Sequence, residues 1–313
     1  MIDQIKAKYQ RRRDFIVLAL KGFCMGMADV IPGISGGTIA FLLGIYEDLI
    51  GSIKSFDLRF LKLLCRFKAK EAFSSVAWQF LVSLFIGIAG AIFIFSKMIS
   101  WLLHNEPALI YSFFFGLILA TVPIIARIIK RWTFSKVIAI FLSACGTYFF
   151  VGMVPLTTPE APWFLFLSGA VAISAMILPG ISGAFILVLL GKYQFILNAV
   201  NQQDIFSLGV FLLGVGVGIF SFVRVLSWLF EKYHDLTVTV ITGIIIGSLR
   251  KIWPWKEVTE SITTSHGKII PIAEMNIIPA QFNADLLAAL MIMVAGFMVA
   301  MMLNSSSDGK LLS

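Results

Sequence analysis

Of 313 residues, 59% are hydrophobic and only 13% are charged, a balance far outside that of soluble globular domains and expected of a polytopic membrane protein. The formal net charge of +8 gives no support to a nucleic-acid partner, because the basic residues gather in short loops between apolar runs, where they act as orientation signals. Cys24, Cys65 and Cys145 are odd in number and scattered, so neither a disulfide framework nor a metal site is expected.

Lys6, Lys8 and Arg11 to Arg13 precede an apolar run from Phe15 and imitate a secretory signal. Lys21 interrupts that run and no small-x-small site follows, so the segment is expected to remain. Phe15 to Ala28 and Thr38 to Ile53 are each shorter than the roughly 20 residues a crossing helix needs. Between them lies Pro32-Gly33-Ile34-Ser35-Gly36. In hydrocarbon every backbone N–H and C=O must be satisfied internally, so a Pro-Gly break is tolerated only where protein or a water-filled cavity surrounds it. Basic clusters flank the pair on both sides, which predicts a re-entrant hairpin over about 15–53 that returns to the cytoplasmic face. The loop 54–77 is expected to hold an amphipathic helix with Phe60, Leu61 and Leu64 against the membrane surface.

Phe80 to Leu103 is long enough to span, with His104 to Pro107 as an external turn. Ala108 to Ile129 returns to a face marked by Arg127, Lys130, Arg131 and Lys136, and Val137 to Val154 crosses outward. A second break, Pro179-Gly180-Ile181-Ser182-Gly183, divides Trp163 to Leu178 from Ala184 to Val200. Leu208 to Phe230 then runs inward and Leu236 to Leu249 outward to an external segment 250–283 with Trp253-Pro254-Trp255. Leu286 to Leu303 brings the C-terminus inside.

The two breaks belong to a duplication of the whole chain. At an offset of 147 (Pro32 to Pro179), Gly22 matches Gly169, Ala28 matches Ala175, Gly44 matches Gly191 and Tyr46 matches Tyr193. Further on the offset is 127 (Gly87 to Gly214), at which Ser100-Trp101 meets Ser227-Trp228 and Gly116 meets Gly243. Residues 1–155 and 156–313 thus form two repeats. Three crossings after each hairpin are an odd number, so the second repeat is expected to start on the opposite face. The predicted architecture is an all-α protein of two inverted-topology repeats, each a re-entrant broken-helix hairpin followed by three transmembrane helices. Paired broken segments of this kind point to a transporter's binding site. Gly87 with Ala91, and Gly214 with Gly216 and Gly218, are expected to form packing seams.

The duplication also separates what both halves share from what one half has alone. Shared are the glycines and Ser35 and Ser182, each placed to cap a half-helix. Exposed N–H groups and a positive dipole end make such N-termini anion sites, which nominates Ser35, Gly36, Gly37, Thr38, Ser182 and Gly183 as phosphate ligands; capping of its own helix is the competing role for each serine. Lys97 and Arg224 occupy equivalent places inside apolar helices and suit a phosphate headgroup, or else snorkel to the interface. Arg250, beside Trp253-Pro254-Trp255, suits either phosphate or interface anchoring. Asp29 faces Met176 in the other half, and Glu47 faces Gln194. A carboxylate at membrane depth costs roughly 2.5–3.5 kcal/mol, so Asp29 and Glu47 are candidates for a coupling ion or proton, against a backbone cap for Asp29 and an interface position for Glu47. No other cofactor is expected.

Asp29-Val30-Ile31-Pro32-Gly33-Ile34-Ser35-Gly36-Gly37-Thr38, then Gly44-Ile45-Tyr46-Glu47, the second Leu178 to Gly183 motif and Gly247-Ser248-Leu249-Arg250-Lys251 through Trp255 resemble the bacterial polyprenyl-phosphate translocases called PopT. The second motif departs from the first, with Ala184 and Phe185 in place of Gly37 and Thr38. The resemblance implies a flippase of the bacterial cytoplasmic membrane, with both termini cytoplasmic, that returns undecaprenyl phosphate from the outer to the inner leaflet for cell-wall synthesis. Its partners would be the polyprenyl phosphate substrate and membrane lipids, and a proton or sodium ion is the expected coupling agent. Two other functions compete: an integral-membrane polyprenyl-diphosphate phosphatase and an ion-coupled exporter of a small solute. The phosphatase would need a nucleophile or metal-binding carboxylates beside cations, and only Asp29 and Glu47 are deep carboxylates, while His104, His234 and His266 fall in predicted loops.

Overall fold

The computed structural model describes residues 2–263, 269–279 and 282–308. It is mostly helical. The first half runs through α1 (Ile2–Lys8), α2 (Arg12–Asp29), α3 (Gly36–Leu42), α4 (Tyr46–Lys54), α5 (Leu58–Cys65), α6 (Ala69–Ser74), α7 (Trp78–Asn105), α8 (Pro107–Ala126) and α9 (Phe134–Phe150). The second has α10 (Pro162–Ile177), α11 (Gly183–Leu189), α12 (Tyr193–Asn201), α13 (Ile205–Ser248), strands β1 (Lys256–Thr263) and β2 (Ile269–Asn276), and α14 (Ala284–Asp308).

The all-α expectation is corrected in the segment 250–283, where β1 and β2 pair antiparallel. The β-branched run Val258, Thr259, Ile262, Thr263 and Ile269, Ile270, Ile272 explains the choice of strand over loop. His266 lies outside the described residues. In the basic loop, Phe60 packs on Ala72 and Val76 of the protein itself; the side chains of Leu61 and Leu64 lie outside those described.

The segment after each Pro-Gly break is not one helix. α3 and α4 meet at a bend of 117°, and α11 and α12 at 102°. Gly44 (φ 66°) and Gly191 (φ 63°) stand at the bends in the left-handed region, which excludes most side chains. Two matching hydrogen bonds close each helix end: Ile45 N–H to Ala40 C=O and Gly44 N–H to Phe41 C=O, then Lys192 N–H to Leu187 C=O and Gly191 N–H to Val188 C=O. At the Pro-Gly breaks, Gly33 (φ 88°) and Gly180 (φ 92°) take the same conformation.

The long helices pack through glycine in a pattern that the duplication reproduces. Gly22 lies on the backbone of Leu84, and Gly87 on that of Ala19; in the other half Gly169 lies on Phe211 and Gly214 on Phe166. Each pair occupies equivalent positions at the two sequence offsets. Close backbone approach is the expected mode where lipid removes any hydrophobic force between helices. The last helix of each half crosses to the other half. Gly116 of α8 meets Met293 of α14, and its equivalent Gly243 of α13 meets Ile140 and Ser143 of α9.

Among the described residues, four helices are long and apolar enough to cross a membrane, or up to six if each bent pair counts as one span. A straight helix of 44 residues, the length of α13, would reach about 66 Å, against about 30 Å of hydrocarbon. Non-helical angles at Tyr233 (φ −132°, ψ 45°) break α13, so residues 205–232 and 234–248 are separate arms, as the sequence predicts. At this break one end of the molecule collects its ion pairs: Lys136–Asp235, Lys54–Glu231 and Lys8–Asp48, each 2.7 Å.

Candidate functional site

The two broken hairpins meet in the middle of the molecule. Thr38 Oγ1, fully buried, accepts from Gly180 N–H at 2.8 Å; Tyr46 OH donates to Ile177 C=O at 2.9 Å; and Ser35 Oγ lies 3.4 Å from Met176 C=O. Side chains of the first hairpin therefore satisfy backbone groups that the second break has freed, as irregular backbone between apolar segments requires.

The N-terminus of α3 is capped by its own segment. Asp29 accepts from Gly36 N–H at 2.7 Å, and Ser35 Oγ accepts from Gly37 N–H at 3.2 Å. The Asp29 carboxylate thus takes the place that an external anion would take, and a cap is the role its contacts describe. α11 differs. Met176 stands where Asp29 stands in the first half and packs beside Gly183, and Ser182 makes no side-chain capping bond.

Directly beyond this crossing lies a cavity of about 220 Å³ lined by Tyr148, Gly152, Arg250, Lys251, Lys256 and Glu274. The Arg250 guanidinium stacks on the Tyr148 ring at 4.4 Å and donates to the Tyr148 carbonyl at 2.9 Å. Gly152 leaves room for it, since a Cβ there would overlap the guanidinium. Lys251 reaches the first break and the half-helix after the second: its chain would meet a Cβ on Gly33 at 3.0 Å, and its ammonium lies 5.3 Å from the Phe185 ring centre. Lys256 lies over the ring of Tyr111, whose hydroxyl reaches toward Pro32 C=O at 3.4 Å. Three cations thus surround one carboxylate, Glu274, which pairs with Lys256 at 3.1 Å and Lys251 at 3.4 Å. Burial lowers the pKa of Lys256, with Glu274 opposing and Lys251 assisting. Burial works against the Glu274 carboxylate, but the charges and hydrogen bonds of Lys256 and Lys251 outweigh it and hold its pKa below the ordinary value.

The sequence candidates separate accordingly. Arg250 lines this cavity. Ser35, Gly36, Gly37 and Thr38 stand at the crossing, where Thr38 serves the opposite hairpin. Lys97 is exposed on α7, while Arg224 turns back on its own helix, its guanidinium 3.3 Å from the Phe220 ring centre. The structure does not bring these two together at the cavity. Glu47 and Asp29 are also apart: Glu47 pairs with His234 at 3.0 Å beside the break in α13. Sequence reasoning missed Lys251, Lys256 and Glu274 as site residues. Lys251 stood inside a quoted motif; Lys256 and Glu274 had no local signal, because strand pairing brings them together.

A family model described as undecaprenyl phosphate translocase-like matches residues 25–270 and so spans both breaks and all three cations of the cavity. A polyprenyl-phosphate transporter of Vibrio cholerae serotype O1 is 39% identical over 301 residues, 94% of this chain and 98% of that protein. A second polyprenyl-phosphate transporter, from Staphylococcus aureus, is 32% identical over 255 residues, 75% of this chain and 85% of that one. No solved structure matches. The chain therefore belongs to the undecaprenyl phosphate translocase-like family.

Proposed function

We propose that this chain is a flippase that carries undecaprenyl phosphate from the outer to the inner leaflet of the bacterial cytoplasmic membrane, returning the lipid carrier for reuse in cell-wall synthesis. The observation that carries the reading is the place of Lys251: one cation in a polar cavity with Arg250 and Lys256, in contact with Gly33 of one hairpin and Phe185 of the other. A phosphate monoester drawn to these cations bears on both movable breaks at once. The relatives' transporter names favour movement over hydrolysis of the same lipid.

The inverted arrangement of the repeats is part of the proposal. It is supported by the reproduced glycine contacts and by the ends that equivalent helices reach. α8 runs from Tyr111 near the cavity cations to Arg127 at the other end, whereas the arm 234–248 runs from the ion-paired Asp235 to Arg250 at the cavity. The concentration of basic residues at the ion-paired end favours that end as cytoplasmic, with both termini there. Coupling to a proton or sodium ion is proposed at Asp29, whose carboxylate has no equivalent in the second half.

The test is a reconstituted liposome assay of polyprenyl-phosphate accessibility with and without pH and sodium gradients. The proposal expects the lipid to cross only with protein present, faster under one of the gradients, and Asp29→Asn to keep the hydrogen bond to Gly36 while losing the gradient response. Release of inorganic phosphate, or no crossing at all, contradicts it.

A further inference from the structure

The cavity around Arg250 contains an anion of its own, and the register of β1 and β2 puts it there. Lys256 pairs with Asn276, and Val258 with Glu274, across the antiparallel strands. Side chains alternate along a strand, so Lys256, Glu274 and Asn276 share one face of the strand pair, and all three line the cavity. From that face Glu274 reaches Lys256 at 3.1 Å and, on the segment leading into β1, Lys251 at 3.4 Å. Arg250 has no carboxylate partner among the described residues.

The strands have other fastenings to the helices. Asn276 Nδ2 donates to Arg250 C=O at 2.8 Å, Lys256 Nζ to Lys251 C=O at 2.6 Å, Ile277 N–H to Trp255 C=O at 3.0 Å and Trp253 Nε1 to Ile277 C=O at 2.9 Å. Glu274 is thus not the sole tie between the strands and the helices. What it alone brings to the cavity is negative charge.

That charge bears on which anion the cavity accepts. The lining has three cations, Arg250, Lys251 and Lys256, and one anion, Glu274, for a formal balance of +2 (3 − 1); Tyr148, Val151, Gly152, Met275 and Asn276 carry no formal charge. A phosphate monoester carries about −1.5 to −2 near pH 7, and a second phosphoryl group adds about one charge more. A monoester head therefore neutralises the set, whereas a diphosphate head overfills it and must sit against the Glu274 carboxylate. The Lys256 and Glu274 side chains are only 11% and 23% exposed, so solvent screens that repulsion incompletely.

We propose that Glu274 is a specificity-determining residue of this cavity: a resident counter-charge that fits it to a phosphate monoester and turns away the diphosphate of the same lipid. The monoester lies between Arg250 and the two lysines, with Glu274 still paired to the lysines. The inference rests on the flippase reading and adds the headgroup charge that its cavity accepts.

The test is displacement of a radiolabelled polyprenyl phosphate from the full-length protein, in nanodiscs of phosphatidylcholine at pH 7, by the unlabelled monophosphate and by the diphosphate of the same chain length. The wild type is expected to prefer the monophosphate. Glu274→Gln should move the ratio of the two affinities toward the diphosphate by about threefold or more, and Glu274→Asp, which keeps the charge, should hold the wild-type ratio. Asn276→Asp adds a second carboxylate to the same face and should move the ratio the other way, a check that does not depend on the folding of Glu274→Gln. The ratio is decisive because a disordered pair of strands would weaken both lipids alike. If the wild type binds neither lipid, the flippase reading falls and the inference with it. If it binds the monophosphate but does not discriminate, or if the ratio is unchanged in Glu274→Gln and Asn276→Asp, the role of Glu274 alone falls.

Discussion

The two hairpins share a backbone and differ in what fills it. Both break at a Pro-Gly with positive φ, both bend again at a glycine with positive φ, and both close the intervening helix with the same pair of hydrogen bonds. Yet the first holds a carboxylate on its half-helix and an ammonium at its bend, where the second has Met176 and the Thr158 hydroxyl. Conformation that recurs in both copies belongs to the fold. Charge present in only one copy, as at Asp29 against Met176, is where the two halves differ beyond the shared backbone.

The comparison predicts a largest effect at the duplicated seams. Gly87→Ala and Gly214→Ala each place a Cβ into the backbone of the neighbouring helix, whereas Gly90 and Gly216 face open space. Overpacking costs about 1–3 kcal/mol and backbone cannot move aside cheaply, so both seam variants should unfold several degrees earlier in detergent, by similar amounts, while Gly90→Ala and Gly216→Ala change little. Unequal losses at Gly87 and Gly214 would break the equivalence of the halves.

Next is the crossing. Thr38→Val leaves the Gly180 N–H buried without its acceptor, at a cost of about 1–3 kcal/mol. Val fills the same space, so thermal unfolding reads the lost hydrogen bond. Asp29→Ala removes a cap, for about 1 kcal/mol, whereas Met176→Ala in the other hairpin takes away no hydrogen bond; a stability loss in Asp29→Ala equal to that in Asp29→Asn would show that the carbonyl oxygen at 29 is not the cap.

The smallest effect expected is a pH dependence at the cavity around Arg250. Because burial holds the Lys256 pKa down, its charge is lost below the ordinary lysine value of about 10.4. Affinity for a phosphate monoester should therefore begin to fall at a lower alkaline pH than an exposed lysine would impose, and Lys256→Gln should remove that limb. The folded state holds fewer protons on Lys256 than the unfolded chain in that window, so its contribution to stability rises with pH there. Glu274 acts in the acidic range instead: its depressed pKa gives stability that is present above about 4.3 and is lost as pH falls through the folded value.

Much of this fold is readable in the sequence, for definite reasons. The breaks, the duplication and the glycine seams are local or periodic signals, and Gly33, Gly44, Gly87 and their equivalents stand where the pattern puts them. The second bend at Gly44 was visible as a matched glycine but not as a bend, because an apolar run does not show where a helix ends. The site is less readable. Arg250 was marked by its motif, but Lys256 and Glu274 meet only through β pairing, and Lys21 looked like an interruption of a helix until its carbonyl partner appeared. Lys97 and Arg224 show the reverse: equivalent positions in two repeats carry cations that share neither a site nor a local environment.

The central claim is that the phosphate headgroup, held by the cations around Lys251, is what this cavity recognises. Competition binding of a polyprenyl phosphate and the polyprenol of the same chain length to the wild type and to Lys251→Gln tests it most directly. The account predicts that the phosphate lipid alone competes and that Lys251→Gln weakens it by about tenfold or more, the equivalent of a charge-assisted contact. Equal competition by the alcohol, or unchanged affinity in the variant, would contradict it.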